Sequence, residues 1–200
     1  MSKKNSQQWL SVFIGRFSPF GENHRTVLEH AAKFSDSILM LVGSSYRPRS
    51  FKNPFTYNER QAFIKAGTAD LGVEVNTLPL IDTLYDDEAW KTNVRTAVNM
   101  HMRAKGMDPN NTRVILVGYD KDKSSRYLSW FPGWEAEPTK APRMHNGKCV
   151  SATDLRRAIF LGEDVGDIVS QFGAGPVANV SNWVKSNGDA VAVVREEGEF

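Results

Sequence analysis

The sequence is poor in features that mark several classes of protein. Its single cysteine, Cys149, cannot form an intramolecular disulfide, and no evident activating partner would make it a nucleophile. No apolar run approaches the roughly 20 residues needed to cross a bilayer, and residues 1–8 are polar and carry no secretory signal. We therefore expect a soluble, cytoplasmic protein without a membrane partner, in which Cys149 has a packing role.

Strong charge and metal-binding patterns are also missing. The formal net charge is +2 over 200 residues, which does not indicate a nucleic-acid-binding protein. His30, His101 and His145 show no metal-ligand spacing, so we expect no metal held directly by side chains. Apolar residues make up 40% of the chain, which is enough for one globular domain whose core needs neither metal nor disulfide support.

The chain does contain an alternation of apolar strands and amphipathic helices. Strands are predicted at residues 9–14, 37–43, 73–80 and 112–118. The first three are each followed by a predicted helix: one with Val27, Leu28, Ala31, Ala32 and Phe34 at core spacing, one from the capping box at Thr56 and Glu59 to about residue 70, and one from Asp86 and Asp87 to about residue 105. This order predicts an α/β fold with a Rossmann-like parallel sheet and helices on both faces.

The pattern changes after the fourth strand. Residues 119–148 have no sustained period and are rich in charged, aromatic and proline residues, so we expect a long functional loop there. Ser151 and Asp154 then form a second capping-box pattern, for a helix through residue 161. Pro176 is placed to start a further helix over residues 177–185.

A tight turn separates the first strand from the first helix. It has the sequence GRFSPFGENH over residues 15–24, with too few glycines for a dinucleotide fingerprint or a Walker loop. It brings backbone N–H groups, an arginine and a histidine to the carboxyl end of a parallel strand, where open α/β sheets bind nucleotides. Two basic clusters follow other strands at the same edge, Arg47, Arg49 and Lys52 after the second and Lys121, Lys123 and Arg126 after the fourth. Their convergence favours a small polyphosphate ligand.

Five ordered motifs carry a resemblance to a known family. They are GRFxPF at 15–20 with His24 following, KNPFxxxER at 52–60, the segment 82–90, GYDKDKSSRYLSWFPGW at 118–134, and VSATDLR at 150–156. In this order and spacing the chain resembles the nicotinamide mononucleotide adenylyltransferases of the nucleotidylyltransferase superfamily, specifically the archaeal-type branch whose domain is also found fused to a Nudix hydrolase.

The resemblance implies an enzyme that transfers AMP from ATP to nicotinamide mononucleotide, giving NAD and pyrophosphate, with Mg²⁺ bridging the substrate phosphates. It implies catalytic roles for His24 and Arg156. It also implies that ATP phosphates contact Gly15, Arg16, Phe17, Gly21, Arg49, Ser151 and Thr153, and that nicotinamide mononucleotide contacts Asp82 and Trp90. For Lys52, assistance to phosphate binding and a plain loop position both stay open.

Two positions depart from the family pattern. Gly21 stands where the family has the first histidine of its HxGH motif, and Asn23 stands at the motif glycine. We expect a working but slower enzyme. The alternative is a catalytically impaired nucleotide-binding homologue that acts as a sensor or structural partner. Replacing Gly21 with histidine is expected to raise the rate of a weakened enzyme only.

The end of the chain gives two further expectations. We divide the sequence into a nucleotidylyltransferase domain at 1–186 and a tail at 187–200, in which residues 189–194 read as a strand without a partner. That strand resembles the opening strand of the Nudix domain in fused family members, so the chain is either a fragment of a bifunctional protein or ends in a local feature. Adenylyl transfer to another acceptor, such as phosphopantetheine, is disfavoured by Asp82 and Trp90. A homo-oligomer is compatible with the sequence.

Overall fold

A computed structural model describes residues 7–83, 85–119, 127–140, 151–163, 168–169 and 172–196. Five strands run over Gln8–Gly15 (β1), Ser37–Val42 (β2), Glu74–Pro79 (β3), Thr112–Tyr119 (β4) and Glu135–Thr139 (β5). The main helices in the described part are Glu22–Ala31 (α1), Tyr57–Thr68 (α2), Asp87–Ala104 (α3), Ala152–Leu161 (α4), Ala174–Ser186 (α5) and Gly188–Glu196 (α6). No described helix is long and apolar enough to span a membrane.

The strands form one parallel sheet in the order β3-β2-β1-β4-β5. β1 is central, and its Leu10 lies opposite Ser37 of β2 and Val114 of β4. From β1 the chain passes through α1 to β2, which is the neighbour of β1 on one side. From β3 it passes through α3 back across the sheet to β4, which is the neighbour of β1 on the other side. Because such crossovers are right-handed, α1 and α3 cover opposite faces of the sheet. The predicted doubly wound α/β fold is therefore confirmed.

Contacts divide the chain into two compact units. The first unit takes its described residues from Met1–Gly15, Val27–Gly43 and Leu71–Lys140, and the second takes them from Arg16–Thr26, Ser44–Asp70 and Ala141–Phe200. The first unit contains the sheet and α3. The second contains the turn after β1, the start of α1, and the helices α2, α4, α5 and α6.

Alternate residues of β1 build the core of the first unit. Leu10, Val12 and Ile14 point to one face, where they pack with Val94 and Val98 of α3. All five side chains are less than a tenth exposed. The apolar runs were readable in the sequence because a strand covered on both faces has few polar residues.

Aromatic rings form the core of the second unit. Phe55 meets Trp183 edge-on, with ring centroids 4.9 Å apart, and also contacts Phe160 of α4. Val191 and Val194 of α6 complete this cluster. The second unit thus has its own apolar core, made by its helices and by Phe55 just before α2.

The predicted terminal strand at 189–194 is wrong, because these residues lie in α6. Val191 and Val194 are three positions apart, which places both on the buried face of a helix. The Nε of Arg195 also donates to the carbonyl of Phe160 at 3.0 Å. The short apolar run fits both the alternation of a strand and the repeat of a helix, and packing against the apolar cluster of the second unit selects the helix.

The predicted loop at 119–148 contains β5, which pairs with β4 in parallel. Four of its five residues are exposed, and Pro138 lies within it. The strand was missed because an exposed edge strand lacks apolar alternation. The helix caps were predicted correctly: both halves of the capping box form at Thr56 and at Ser151.

Smaller boundary differences occur at other helices. α1 ends at Ala31, before the predicted core residue Phe34. α5 begins at Ala174, earlier than predicted, and Pro176 lies in its first turn, where proline is favoured. Val27, Leu28 and Ala31 are buried as predicted, whereas Ala32 and Phe34 lie beyond the end of α1 and are only partly buried.

Candidate functional site

The predicted site residues fall into both units. Gly15, Asp82 and Trp90 belong to the first unit. The second unit holds the phosphate-binding and catalytic candidates, which are Arg16, Phe17, Gly21, His24, Arg49, Ser151, Thr153 and Arg156.

The turn after β1 is held by buried aromatic residues. Phe17 and Phe20 are each 2% exposed, and Phe17 has a positive φ of 48°, which is unusual for a residue with a bulky side chain. Such a conformation persists only where the surrounding packing imposes it. The turn is therefore a fixed feature of the second unit.

His24 lies in the first turn of α1, between these two rings. Phe20 stacks on the imidazole at 5.6 Å between centroids, and Phe17 meets it edge-on at 5.2 Å. The backbone N–H of Gly21 donates to Nδ1 of His24 at 3.1 Å. Because Nδ1 accepts, the neutral ring carries its proton on Nε2, which makes Nε2 the donor.

Arg156 is the buried cation of this region. Its side chain is 2% exposed, and Nη1 donates to the carbonyl of Ser18 at 2.5 Å. Nη2 donates to the hydroxyl of Thr153 at 3.0 Å, while Nε has no hydrogen-bond partner in the described part of the chain. Burial, with repulsion from Arg16, lowers the pKa of Arg156 to about 10, although Asp154 opposes the shift. The guanidinium is still charged at neutral pH.

The start of α4 satisfies its own capping groups. The Ser151 hydroxyl lies 2.8 Å from Oδ2 of Asp154 and accepts from the Asp154 N–H at 3.2 Å. The Ser151 N–H donates to the same carboxylate at 2.8 Å. Ser151 is thus the predicted N-cap, and Thr153 is the hydroxyl that contacts Arg156.

Arg16 supplies the exposed cation. Its Nη1 donates to the carbonyl of Lys52 at 3.4 Å. Together with burial, its positive charge lowers the pKa of Arg156, so the two like charges repel each other within the second unit. A bound anion would relieve this repulsion, so the pair provides the chemistry for binding phosphate.

Arg49 is already paired with a carboxylate. Its two Nη atoms donate to the two Oε atoms of Glu59 at 2.8 and 2.9 Å, and its guanidinium lies 5.3 Å from the ring centre of Trp183. Burial by itself raises the pKa of Glu59, but hydrogen bonds from Arg49 and Thr56 lower it to about 2. The charge of Arg49 is therefore largely neutralised within the second unit.

Arg60 is a residue that sequence reasoning did not single out. It is fully buried, and it donates to the carbonyls of Arg16 at 2.8 Å, Ser44 at 3.2 Å and Thr56 at 3.3 Å. It therefore joins the turn after β1 (residues 16–24, the phosphate turn), the loop after β2 and the start of α2. Its place in the KNPFxxxER motif was visible, but its burial was not.

The residues expected to bind the mononucleotide lie in the first unit. Trp90, in the first turn of α3, contacts Tyr127, Trp130 and Phe131 at centroid distances of 5.9 to 6.3 Å. Burial raises the pKa of Tyr127 to about 12. Trp90 thus belongs to an aromatic cluster that also contains Tyr127, Trp130 and Phe131.

Gly15 and Asp82 lie at the ends of two strands of the first unit. Gly15 is the last residue of β1, and its carbonyl accepts from the N–H of Gly43 at 2.9 Å. Asp82 is partly exposed in the loop between β3 and α3. Gly15 therefore lies at the carboxyl end of a parallel strand, as predicted, and Asp82 lies shortly after the end of another.

Several predicted features lie outside the described residues. They are the basic cluster at Lys121, Lys123 and Arg126, together with His145 and Cys149. Within the residues that are described, no group of three or more His, Cys, Asp or Glu side chains could hold a metal ion.

Comparison with known proteins gives consistent matches. Residues 12–158 match the cytidylyltransferase-like family. The chain is 33% identical over 153 residues to the nicotinamide/nicotinic acid mononucleotide adenylyltransferase of Acinetobacter baylyi, covering 76% of each chain. It is 26% identical over 154 residues to the nicotinamide-nucleotide adenylyltransferase of Methanolobus tindarius, covering 77% of this chain and 79% of that one.

A solved structure is also similar. It is the bifunctional NMN adenylyltransferase/ADP ribose pyrophosphatase of Francisella tularensis, with a TM-score of 0.74 and 26% identity. The match covers 95% of this chain and 53% of that protein. The chain therefore spans about half the length of this bifunctional relative.

Proposed function

Since the chain belongs to the cytidylyltransferase-like family and, within it, to the nicotinamide mononucleotide adenylyltransferases with their archaeal members, we propose that it transfers AMP from ATP to nicotinamide mononucleotide. In this reaction a phosphate oxygen of the mononucleotide forms a bond to the α-phosphorus of ATP. The bond from that phosphorus to the oxygen shared with the β-phosphorus breaks, and pyrophosphate leaves. The products are NAD and pyrophosphate.

The observation that carries the proposal is the set of donors in the second unit. His24 has its donor nitrogen at Nε2, and the charged groups of Arg16 and Arg156 act on one another. In-line phosphoryl transfer needs positioning and charge stabilisation rather than a protein nucleophile. Donors that are already fixed before the reaction stabilise the developing charge most effectively.

Each group then has a role. His24 donates from Nε2 to an α-phosphoryl oxygen, and Arg156 neutralises charge from a position held by Ser18 and Thr153. Further phosphate contacts come from Arg16, from backbone groups at Gly15 and Phe17, and from Ser151 and Thr153. Gly21 acts through His24, since its N–H donates to Nδ1, and Arg49 reaches phosphate only by leaving Glu59. Asp82 and Trp90 of the first unit contact the nicotinamide mononucleotide.

The donor set described above is cationic and hydroxylic, so it suits phosphate groups that themselves carry a divalent ion. Mg²⁺ bound to those phosphates would supply Lewis-acid stabilisation of their charge. Among the described residues, the side chains of the site bind the phosphates, and the phosphates hold the ion. The cytoplasmic location remains a prediction from the sequence.

The direct test is NAD formation from ATP, Mg²⁺ and nicotinamide mononucleotide by the purified protein and by its His24→Ala variant. Removing one charge-stabilising donor is expected to lower kcat on the order of a hundredfold. His30→Ala serves as the control, because His30 lies at the end of α1 and contacts only Glu137 among the described side-chain hydrogen bonds. Full activity of the His24→Ala variant would show that His24 has no catalytic role.

A second candidate is a nucleotide-binding protein that has lost catalysis. Gly21 lacks the imidazole found at this place in the family, and Arg49 is neutralised by Glu59. This protein would bind both substrates, measured by calorimetry, and form no NAD. That result would replace the enzymatic proposal with a sensor or structural role.

A further inference from the structure

Gly21 lies directly against the ring of Phe172. A β-carbon added to Gly21 would lie 2.3 Å from Cε1, 2.6 Å from Cδ1 and 2.7 Å from Cζ of that ring. Such distances are far shorter than any van der Waals contact between carbon atoms. No side chain therefore fits at position 21 while the ring keeps its place.

The ring of Phe172 has little room to move. Phe172 is 2% exposed and packs with Leu155 of α4 and Val177 of α5 in an apolar cluster. Leu155 directly precedes Arg156 in α4. The ring thus lies between the phosphate turn and the helix that carries the buried arginine.

Gly21 in turn determines the state of His24. Its N–H donates to Nδ1 of the imidazole, and its carbonyl accepts from the N–H groups of His24 at 2.9 Å and Arg25 at 3.1 Å. The first of these bonds sets the tautomer, and the other two start α1. A shift of Gly21 would therefore change both the position and the proton of His24.

We propose that Phe172 is a positioning residue of the phosphate turn. Its ring occupies the volume that a side chain at position 21 needs, and it holds Gly21 where the Gly21 N–H keeps the proton of His24 on Nε2. The kinetic consequence rests on the proposed adenylyl transfer, whereas the tautomer and the packing do not. Replacing Gly21 with histidine, which the sequence suggested would raise the rate, is instead expected to displace the ring and the turn.

The test is a double-mutant cycle of Gly21→Ala, Phe172→Ala and the double variant. The backbone of Gly21 does not have a positive φ, so the added methyl group acts through the ring alone. Gly21→Ala is expected to lower kcat/KM for ATP on the order of tenfold to a hundredfold, because small displacements at a reacting centre are costly. The double variant is expected to recover part of this loss, because the methyl group enters the volume that the ring has left.

The control is Gly188→Ala in α6, where an added β-carbon meets nothing within 4 Å. It is expected to leave kinetics unchanged and to leave unfolding unchanged or shifted slightly towards greater stability, because alanine is the better helix former. If Phe172→Ala does not fold, Phe172→Val, which removes Cδ1, Cε1 and Cζ, takes its place in the cycle. A double variant no better than Gly21→Ala alone would overturn the proposal.

A second readout does not depend on activity. Ring ¹⁵N shifts of His24 are expected to show the Nε2-protonated tautomer in the unchanged protein and a mixture of tautomers in Gly21→Ala. An unchanged tautomer in Gly21→Ala would contradict the proposal even if no NAD were formed. Absence of NAD with the expected tautomer change would instead count against the adenylyltransferase function alone.

Discussion

Replacing Glu59 with glutamine should make the second unit less stable, and the loss should depend on pH. The hydrogen bonds of the Glu59 carboxylate lower its pKa from 4.5 to about 2 against the opposing effect of burial. This difference corresponds to roughly 3 kcal/mol of stabilisation at neutral pH. Because Glu59 and Arg49 keep 21% and 25% of their side-chain surface exposed, solvent screening reduces it to about 2 kcal/mol.

The sign follows from the direction of the pKa change. The folded-state pKa of Glu59 lies below the unfolded value, so the stabilisation is complete above about pH 4.5 and is lost as the pH falls towards 2. Glutamine removes the charge but still accepts from the Thr56 N–H in a capping box. The variant therefore separates the ion pair from the helix cap.

The measurement is urea denaturation of the unchanged protein and of Glu59→Gln at about pH 7 and about pH 3. The difference in unfolding free energy should be near 2 kcal/mol at the higher pH and should shrink at the lower pH. Glu163→Gln, which changes an exposed side chain after α4, is the control. An equal difference at both pH values would refute the reasoning, because the ion pair would then contribute nothing.

Three further outcomes are expected from single substitutions. Gly67→Ala should lower Tm in calorimetry, because the added methyl group would lie 2.7 Å from Cε1 of Phe20. Helix propensity alone would have the opposite effect, since it favours alanine by about 1 kcal/mol. Burial lowers the pKa of His101 below 6.5, so urea denaturation should show stability falling as the pH drops below 6.5. His101→Gln should remove this part of the fall but not the part below 4.5 that Glu59 contributes. Arg60→Met should cost about 2 kcal/mol and raise KM for ATP, because the carbonyl of Arg16 loses the Arg60 donor, while the carbonyls of Ser44 and Thr56 still accept from the Asn53 amide and from the backbone N–H of residue 60. Unchanged KM would separate Arg60 from the phosphate turn.

Local chemistry explains why much of the fold could be predicted. The buried strands read as apolar runs, since both of their faces are covered, and their bounds agree with the structure within a few residues. The capping boxes at Thr56 and Ser151 each involve residues three positions apart, so their hydrogen bonds were legible from spacing alone. The family resemblance carried by five ordered motifs is confirmed by the matches to known adenylyltransferases.

Contacts between distant segments could not be predicted in the same way. The run at 189–194 fits both a strand and a helix, and only the apolar cluster around Phe160 decides for the helix. Strand β5 has no apolar alternation of its own, and its identity comes from pairing with β4. In both cases the energy that selects the structure comes from a partner far away in the chain.

The sequence by itself determined the parallel α/β arrangement, the helix starts and the turn that carries His24, because apolar period, capping and turn chemistry act over a few residues. Only the tertiary structure decided the surroundings of that turn. Phe172 fills the space beside Gly21, Glu59 forms an ion pair with Arg49, and the buried Arg156 donates to the carbonyl of Ser18. These are packing and charge contacts between remote segments, and their energies depend on distances that no local pattern encodes.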